Sequence, residues 1–106
     1  MLNKKNYKIA MQLKEQLLKV TPLIDYRIFG SRARGDFDKY SDMDVFIEVQ
    51  KLDKDIKEKI YDITWLIGLE NDLIISPLIF SRYQIEKSPL KISPIVLNIF
   101  EEGIKI

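Results

Sequence analysis

The chain contains no cysteine and no histidine, which removes thiolate nucleophiles, imidazole bases, disulfides and the usual zinc ligands together. Any catalysis therefore falls to carboxylates, hydroxyls, lysine or arginine, and any metal should be a hard cation bound through oxygen. An excess of one charge is also missing, because 17 Lys and Arg against 16 Asp and Glu leave a net +1. Without a global field, neither an extended nucleic-acid surface nor attraction to an anionic membrane is expected. No apolar run approaches the ~20 residues that cross a bilayer, and the polar start of the chain has no signal-peptide core. A cytoplasmic protein that does not touch membranes is the expectation. Only 4 glycines and 4 prolines punctuate 106 residues that are 46% apolar, a composition that suits a single compact domain over residues 1–106.

The apolar residues present have readable periods. Ile9, Leu13, Leu17 and Val20 recur at helical spacing and predict an amphipathic helix from about Lys5 to Val20, stopped by Thr21-Pro22. A strand is expected from Leu23 to Phe29, ending at Gly30, and a second from Asp42 to Val49, rich in Val, Ile and Phe. Ile56, Ile60, Ile63 and Ile67 mark a helix from about Asp53 to Gly68, with Asp55 and Glu58 as a capping box. Leu73 to Phe80 reads as a third strand, in which Pro77 argues for an edge or a bulge. Ser93-Pro94 opens a last helix through Phe100 that Gly103 terminates. This order predicts an α+β domain whose small sheet of three strands is covered by helices.

Between the first two strands, two glycines, two arginines and four aspartates crowd into the fifteen residues from Gly30 to Asp44. Gly30 lets backbone approach a ligand closely, and Ser31 with the following amides can cradle phosphate oxygens. Arg32 and Arg34 offer charge, although alternate helical residues do not face one way. Asp42 and Asp44 leave the same face of a strand about 6.6 Å apart along the backbone, a placement from which carboxylates can converge on divalent ions. An isolated Asp-x-Asp is most often a strand entry or a turn, and Asp36 and Asp38 read as solvated turn residues. The chemistry rests on the conjunction of a strand, Gly-Ser, ten residues, and Asp-x-Asp opening another strand.

That conjunction, Gly30-Ser31 followed after ten residues by Asp42-Met43-Asp44, resembles the signature of the polymerase-β-type nucleotidyltransferase superfamily. The Gly-Ser-Arg-Ala-Arg-Gly wording is most similar to its minimal branch, which includes MntA-like antitoxins. The resemblance covers nearly the whole chain, but only Gly30 to Val49 is specific. It implies a palm-like nucleotidyltransferase fold with a mixed sheet, and a nucleoside triphosphate, such as ATP, as substrate. Gly30 and Ser31 would hold the triphosphate, with Arg32 and Arg34 as further nucleotide contacts, while Asp42 and Asp44 would bind two Mg2+ ions. The implied reaction moves a nucleoside monophosphate to a hydroxyl and releases pyrophosphate. The implied partner is a small helical HEPN-type protein.

One departure follows from the same resemblance. The third strand, where the family places its third carboxylate, carries no acid, and the best alignment puts the missing group near Ser76. Asp72 has the right strand parity to serve as a catalytic acid, yet four residues displace it by about 13 Å along an extended strand. Two functions therefore stand side by side: a Mg2+-dependent nucleotidyltransferase, and a nucleotide-binding antitoxin or partner subunit with weak or no catalysis. Tyr61, Trp65 and Phe100 read as packing residues. Phe37 and Tyr40 either contact a base or anchor the loop. The apolar stretch from Ile92 to Ile106 offers a partner surface, for another protein or for a homo-oligomer.

Overall fold

A computed structural model describes residues 2–106. The first helix, α1 (Lys4–Leu18), starts where the Asn3 side chain accepts from the Asn6 amide at 2.8 Å, and it buries Ile9, Ala10, Leu13 and Leu17. Next come β1 (Asp25–Phe29), the single turn α2 (Ser31–Arg34), β2 (Met43–Val49) and α3 (Lys54–Glu70). They are followed by β3 (Ile75–Ser81), α4 (Arg82–Lys87), a 3₁₀ turn (Pro89–Ile92), α5 (Pro94–Glu102) and β4 (Ile104–Lys105). No described helix is long and apolar enough to cross a membrane.

The strands lie in the order β3-β2-β1-β4, with β1 antiparallel to both neighbours and β3 parallel to β2. The sheet thus has four strands where the sequence predicts three. The extra one, β4, pairs Ile104 with Ile28 and Lys105 with Arg27, and two residues are too few to show a period. Gly103 makes this return possible, since a Cβ there would strike the carbonyl of Ile99.

Alternation along β2 divides the molecule into layers. Met43, Val45, Ile47 and Val49 join Tyr26 and Ile28 of β1 in one core with α1 and α3. Phe46 points the other way and is also fully buried, its ring 5.3 Å from Phe100 of α5 and 5.8 Å from Phe80 of β3. Helices therefore cover the sheet from both sides, and the face that bears Phe46 also bears Asp44 and Glu48. Pro77 sits on the edge strand, as its chemistry demands. The carbonyl of Ile74 accepts from Met43 of β2, so even-numbered residues of β3 address β2 and odd-numbered ones, Pro77 included, face outward.

Several local expectations change. Helix α3 is capped by Asp53, whose side chain accepts from the Ile56 amide at 2.8 Å, and no capping box forms at Asp55. Trp65 is 67% exposed, because the buried stripe of α3 runs through Ile60, Thr64, Ile67 and Gly68 and leaves it on the outer side; Tyr61 is exposed as well. The segment between Ser81 and Ser93, unassigned from periodicity, holds α4, which opens with a reciprocal capping box of Ser81 and Gln84.

Candidate active site

The glycine turn and the acid pair meet. At the end of β1, Gly30 adopts φ 75° and ψ −156°, a combination that side chains disfavour. A Cβ at Gly30 would also collide with the Asp44 carboxylate, so glycine is required here for conformation and for space. Its carbonyl accepts from the amides of Ala33 and Arg34, each at 3.1 Å, which winds the chain directly into α2. The first amides of that turn have no helical carbonyl to bond. Gly35, at φ 89°, then releases the chain into the loop that leads to Asp42.

Asp42 stands just before β2 and is exposed, while Asp44 lies within the strand, partly buried. Their neighbours are set by register: Asp44 lies opposite Phe29 of β1 and beside Ser76 of β3. Ser76 thus occupies the position next to the acids where the sequence argument placed the missing carboxylate. Burial pushes the Asp44 carboxyl above its ordinary value, and the charge of Asp42 pushes it further; Arg34 partly offsets both. An acid whose ionisation is opposed by burial and by a neighbouring carboxylate offers oxygens that a hard cation would relieve. Among the described residues, however, no three Asp or Glu side chains gather closely enough to hold a metal.

The other candidates separate. Arg34 is exposed, pairs with Asp36 at 3.3 Å and still acts on Asp44. Arg32, expected at the nucleotide, is committed elsewhere. It is 4% exposed, its Nε and Nη2 donate to the Ser41 carbonyl at 3.1 and 2.9 Å, and its Nη1 donates to Asn6 Oδ1 at 2.8 Å. Its guanidinium also lies 4.8 Å from the centre of the Phe37 ring, so Phe37 acts as a loop anchor. Arg32 therefore positions the segment before Asp42. The sequence reading missed this tie, although one sign was available: Asn6 falls on the apolar stripe of α1, where a polar residue calls for a buried partner.

Asp72 does not complete the acid pair. Helix α3 ends at Glu70, Asp72 takes a left-handed turn at φ 57°, and the Leu73 amide donates back to the Gly68 carbonyl at 3.0 Å. Since β3 begins only at Ile75, Asp72 remains exposed outside the strand.

Three comparisons bear on this geometry. A relative from Methanocaldococcus jannaschii, named "Putative protein adenylyltransferase", is 43% identical over 56 residues, which are 52% of this chain and 57% of that protein. The chain thus matches little more than half the length of that relative. A crystal structure described as "a putative nucleotidyltransferase" from Sulfolobus solfataricus aligns with a TM-score of 0.49 at 18% identity, covering 97% of this chain and 86% of that one. The sequence profile described as the nucleotidyltransferase domain matches residues 10–106, a span that includes Gly30, Ser31, Asp42 and Asp44. The chain belongs to the nucleotidyltransferase domain family.

Proposed function

We propose that the protein is a Mg2+-dependent nucleotidyltransferase that moves a nucleoside monophosphate from a nucleoside triphosphate, with ATP the first donor to test, to a hydroxyl of a protein acceptor. The observation that carries this reading is the seating of the Asp44 carboxylate against Gly30, which sets the glycine turn beside the strand that follows Asp42. In such a transfer the acceptor hydroxyl loses its proton to solvent as its oxygen bonds to the α-phosphorus, the bond from that phosphorus to the bridging oxygen breaks, and pyrophosphate leaves. Asp42 and Asp44 are the residues that would hold Mg2+, which when bound neutralises phosphate charge. The chain's own contributions are backbone proximity at Gly30, hydrogen bonds from Ser31 and the first amides of α2, and positive charge from Arg34 at the mouth. A protein hydroxyl and ATP also agree with the name of the M. jannaschii relative, and the family resemblance suggests a HEPN-type helical protein as acceptor.

A second reading is favoured by one observation. Ser76, beside Asp44, cannot act as a base near neutral pH, and general acid–base catalysis is worth roughly 10²- to 10⁴-fold. The chain would then be a nucleotide-binding partner subunit with weak turnover. Incubation with α-labelled ATP, Mg2+ and the product of the neighbouring gene separates the two. Label on protein that vanishes in Asp44→Ala is the expected result, whereas ATP binding without transfer supports the second reading. Neither binding nor transfer would remove both.

A further inference from the structure

A cavity of about 670 Å3 lies between the start of α1, the loop after α2 and the turn after α3. Its lining includes none of Gly30, Ser31, Asp42 or Asp44. Two buried groups on its wall are electrostatically incomplete. Asn6 is 0% exposed, and its Nδ2 has no hydrogen-bond partner. Turning the amide over does not help, because Asn6 Oδ1 is the acceptor for Arg32 and the guanidinium has only donors to offer. Arg32 itself is buried, yet its charge meets only neutral partners, the oxygens of Ser41 and Asn6 and the Phe37 ring. It makes no ion pair among the described residues. A guanidinium has about five N–H donors, and these bonds leave two of them unused.

Buried cations are ordinarily paired, and both buried groups here have donors to spare. Lys5 and Lys39 also line the cavity and make no ion pair among the described residues. Two acids also line it, Asp38, which accepts from the Tyr40 amide at 2.8 Å, and the exposed Asp72, so its three cations outnumber its anions by one. We propose that this cavity binds a small oxyanion, a phosphate or carboxylate group, that accepts from the unused guanidinium hydrogens of Arg32, with Lys5 and Lys39 at the rim. Because Arg32 also holds the carbonyl of Ser41, the residue before Asp42, an occupant steadies the segment that presents the acid pair. The site does not depend on the proposed transferase activity.

Thermal melting of the full chain in metal-free buffer tests this, with sodium phosphate and sodium malonate each compared against NaCl at matched ionic strength. Saturating anion should raise the Tm of the wild type and of Asp44→Asn alike by about 5 °C or more, and the more effective salt identifies the group. Asn6→Asp supplies Arg32 with a carboxylate from within; it should melt above the wild type in NaCl and lose the response. A response no larger than that of NaCl overturns the proposal, as does one retained in Asn6→Asp. Loss of the response in Asp44→Asn would also overturn it, by returning the anion to the glycine turn. Should Asn6→Asp fail to fold, the exposed pair Lys5→Ala and Lys39→Ala should together weaken phosphate binding at least about tenfold. Unchanged affinity in that double variant refutes the site.

Discussion

Two acids on one face of one strand have opposite surroundings. Asp44 and Glu48 stand four residues apart on β2, with Phe46 between them. Asp44 opens toward the glycine turn, with Asp42 nearby and Ser76 at its side. Glu48 is 6% exposed, opposite Asp25 and beside Phe80. Asp25 is clamped by Arg27 at 3.0 Å, and Arg82 by Glu86 at 2.7 Å. Burial is the leading cause of a raised pKa at both, and a neighbouring aspartate is the next, Asp42 for one and Asp25 for the other. They differ in what can answer that cost. Arginines of the fold itself, Arg82 and Arg27, act on Glu48, whereas Asp44 has the exposed Arg34 and stays partly open to solvent. Discomfort alone does not mark a catalytic acid; an unfilled approach to it does.

The wall between the acids is the place to break this comparison. Phe46→Ala removes a fully buried ring that touches Phe80 and Phe100, and it should cost about 3–5 kcal/mol in a denaturant titration. A loss below about 1 kcal/mol would mean that the two ends are not separated by a packed partition.

A smaller change sharpens the comparison. Ser76→Asp places a third acid beside Asp44, and with Mg2+ present it should raise nucleotidyl transfer at least about tenfold, part of the usual worth of a general base. Turnover left unchanged would show that proton removal does not limit the reaction from this strand.

The smallest effects are in pH dependence. A carboxyl whose pKa is raised on folding takes up protons more readily in the native state. Its contribution is therefore most favourable below the unfolded value, 4.5 for Glu48 and 3.8 for Asp44, and stability declines as pH rises through the higher native value. Glu48→Gln and Asp44→Asn should each flatten that decline and melt higher than wild type at pH 7. Mg2+ should narrow the gap for Asp44→Asn, by stabilising the wild type, and leave it unchanged for Glu48→Gln. Equal responses to Mg2+ would erase the distinction between the acids.

Much of this arrangement could be read from the residues because strong local signals coincide at the site. Gly30 directly follows an apolar run, and β2 is rich in β-formers with acids at its entry, so the turn and strand announce themselves. The family resemblance put the missing acid near Ser76, and the register sets Ser76 beside Asp44. What stayed hidden depends on contacts between distant segments. Strand β4 exists because Ile104 and Lys105 find Ile28 and Arg27, not because two residues have a pattern. The tie that Arg32 makes to the loop was invisible because its partners, Asn6 and the Ser41 carbonyl, lie 26 and 9 residues away. Trp65 was assigned to the core by size, when the spacing of Ile60 and Ile67 already placed it on the outer side of α3.

The outward-facing Pro77 has a consequence for how these molecules coexist at high concentration. A strand from a neighbouring molecule laid along β3 would find a missing hydrogen-bond donor and a rigid ring midway, and at the opposite border β4 extends for only two residues. Neither rim is a usable template for sheet growth, so crowded copies have no ready route from native contact to fibrous polymer.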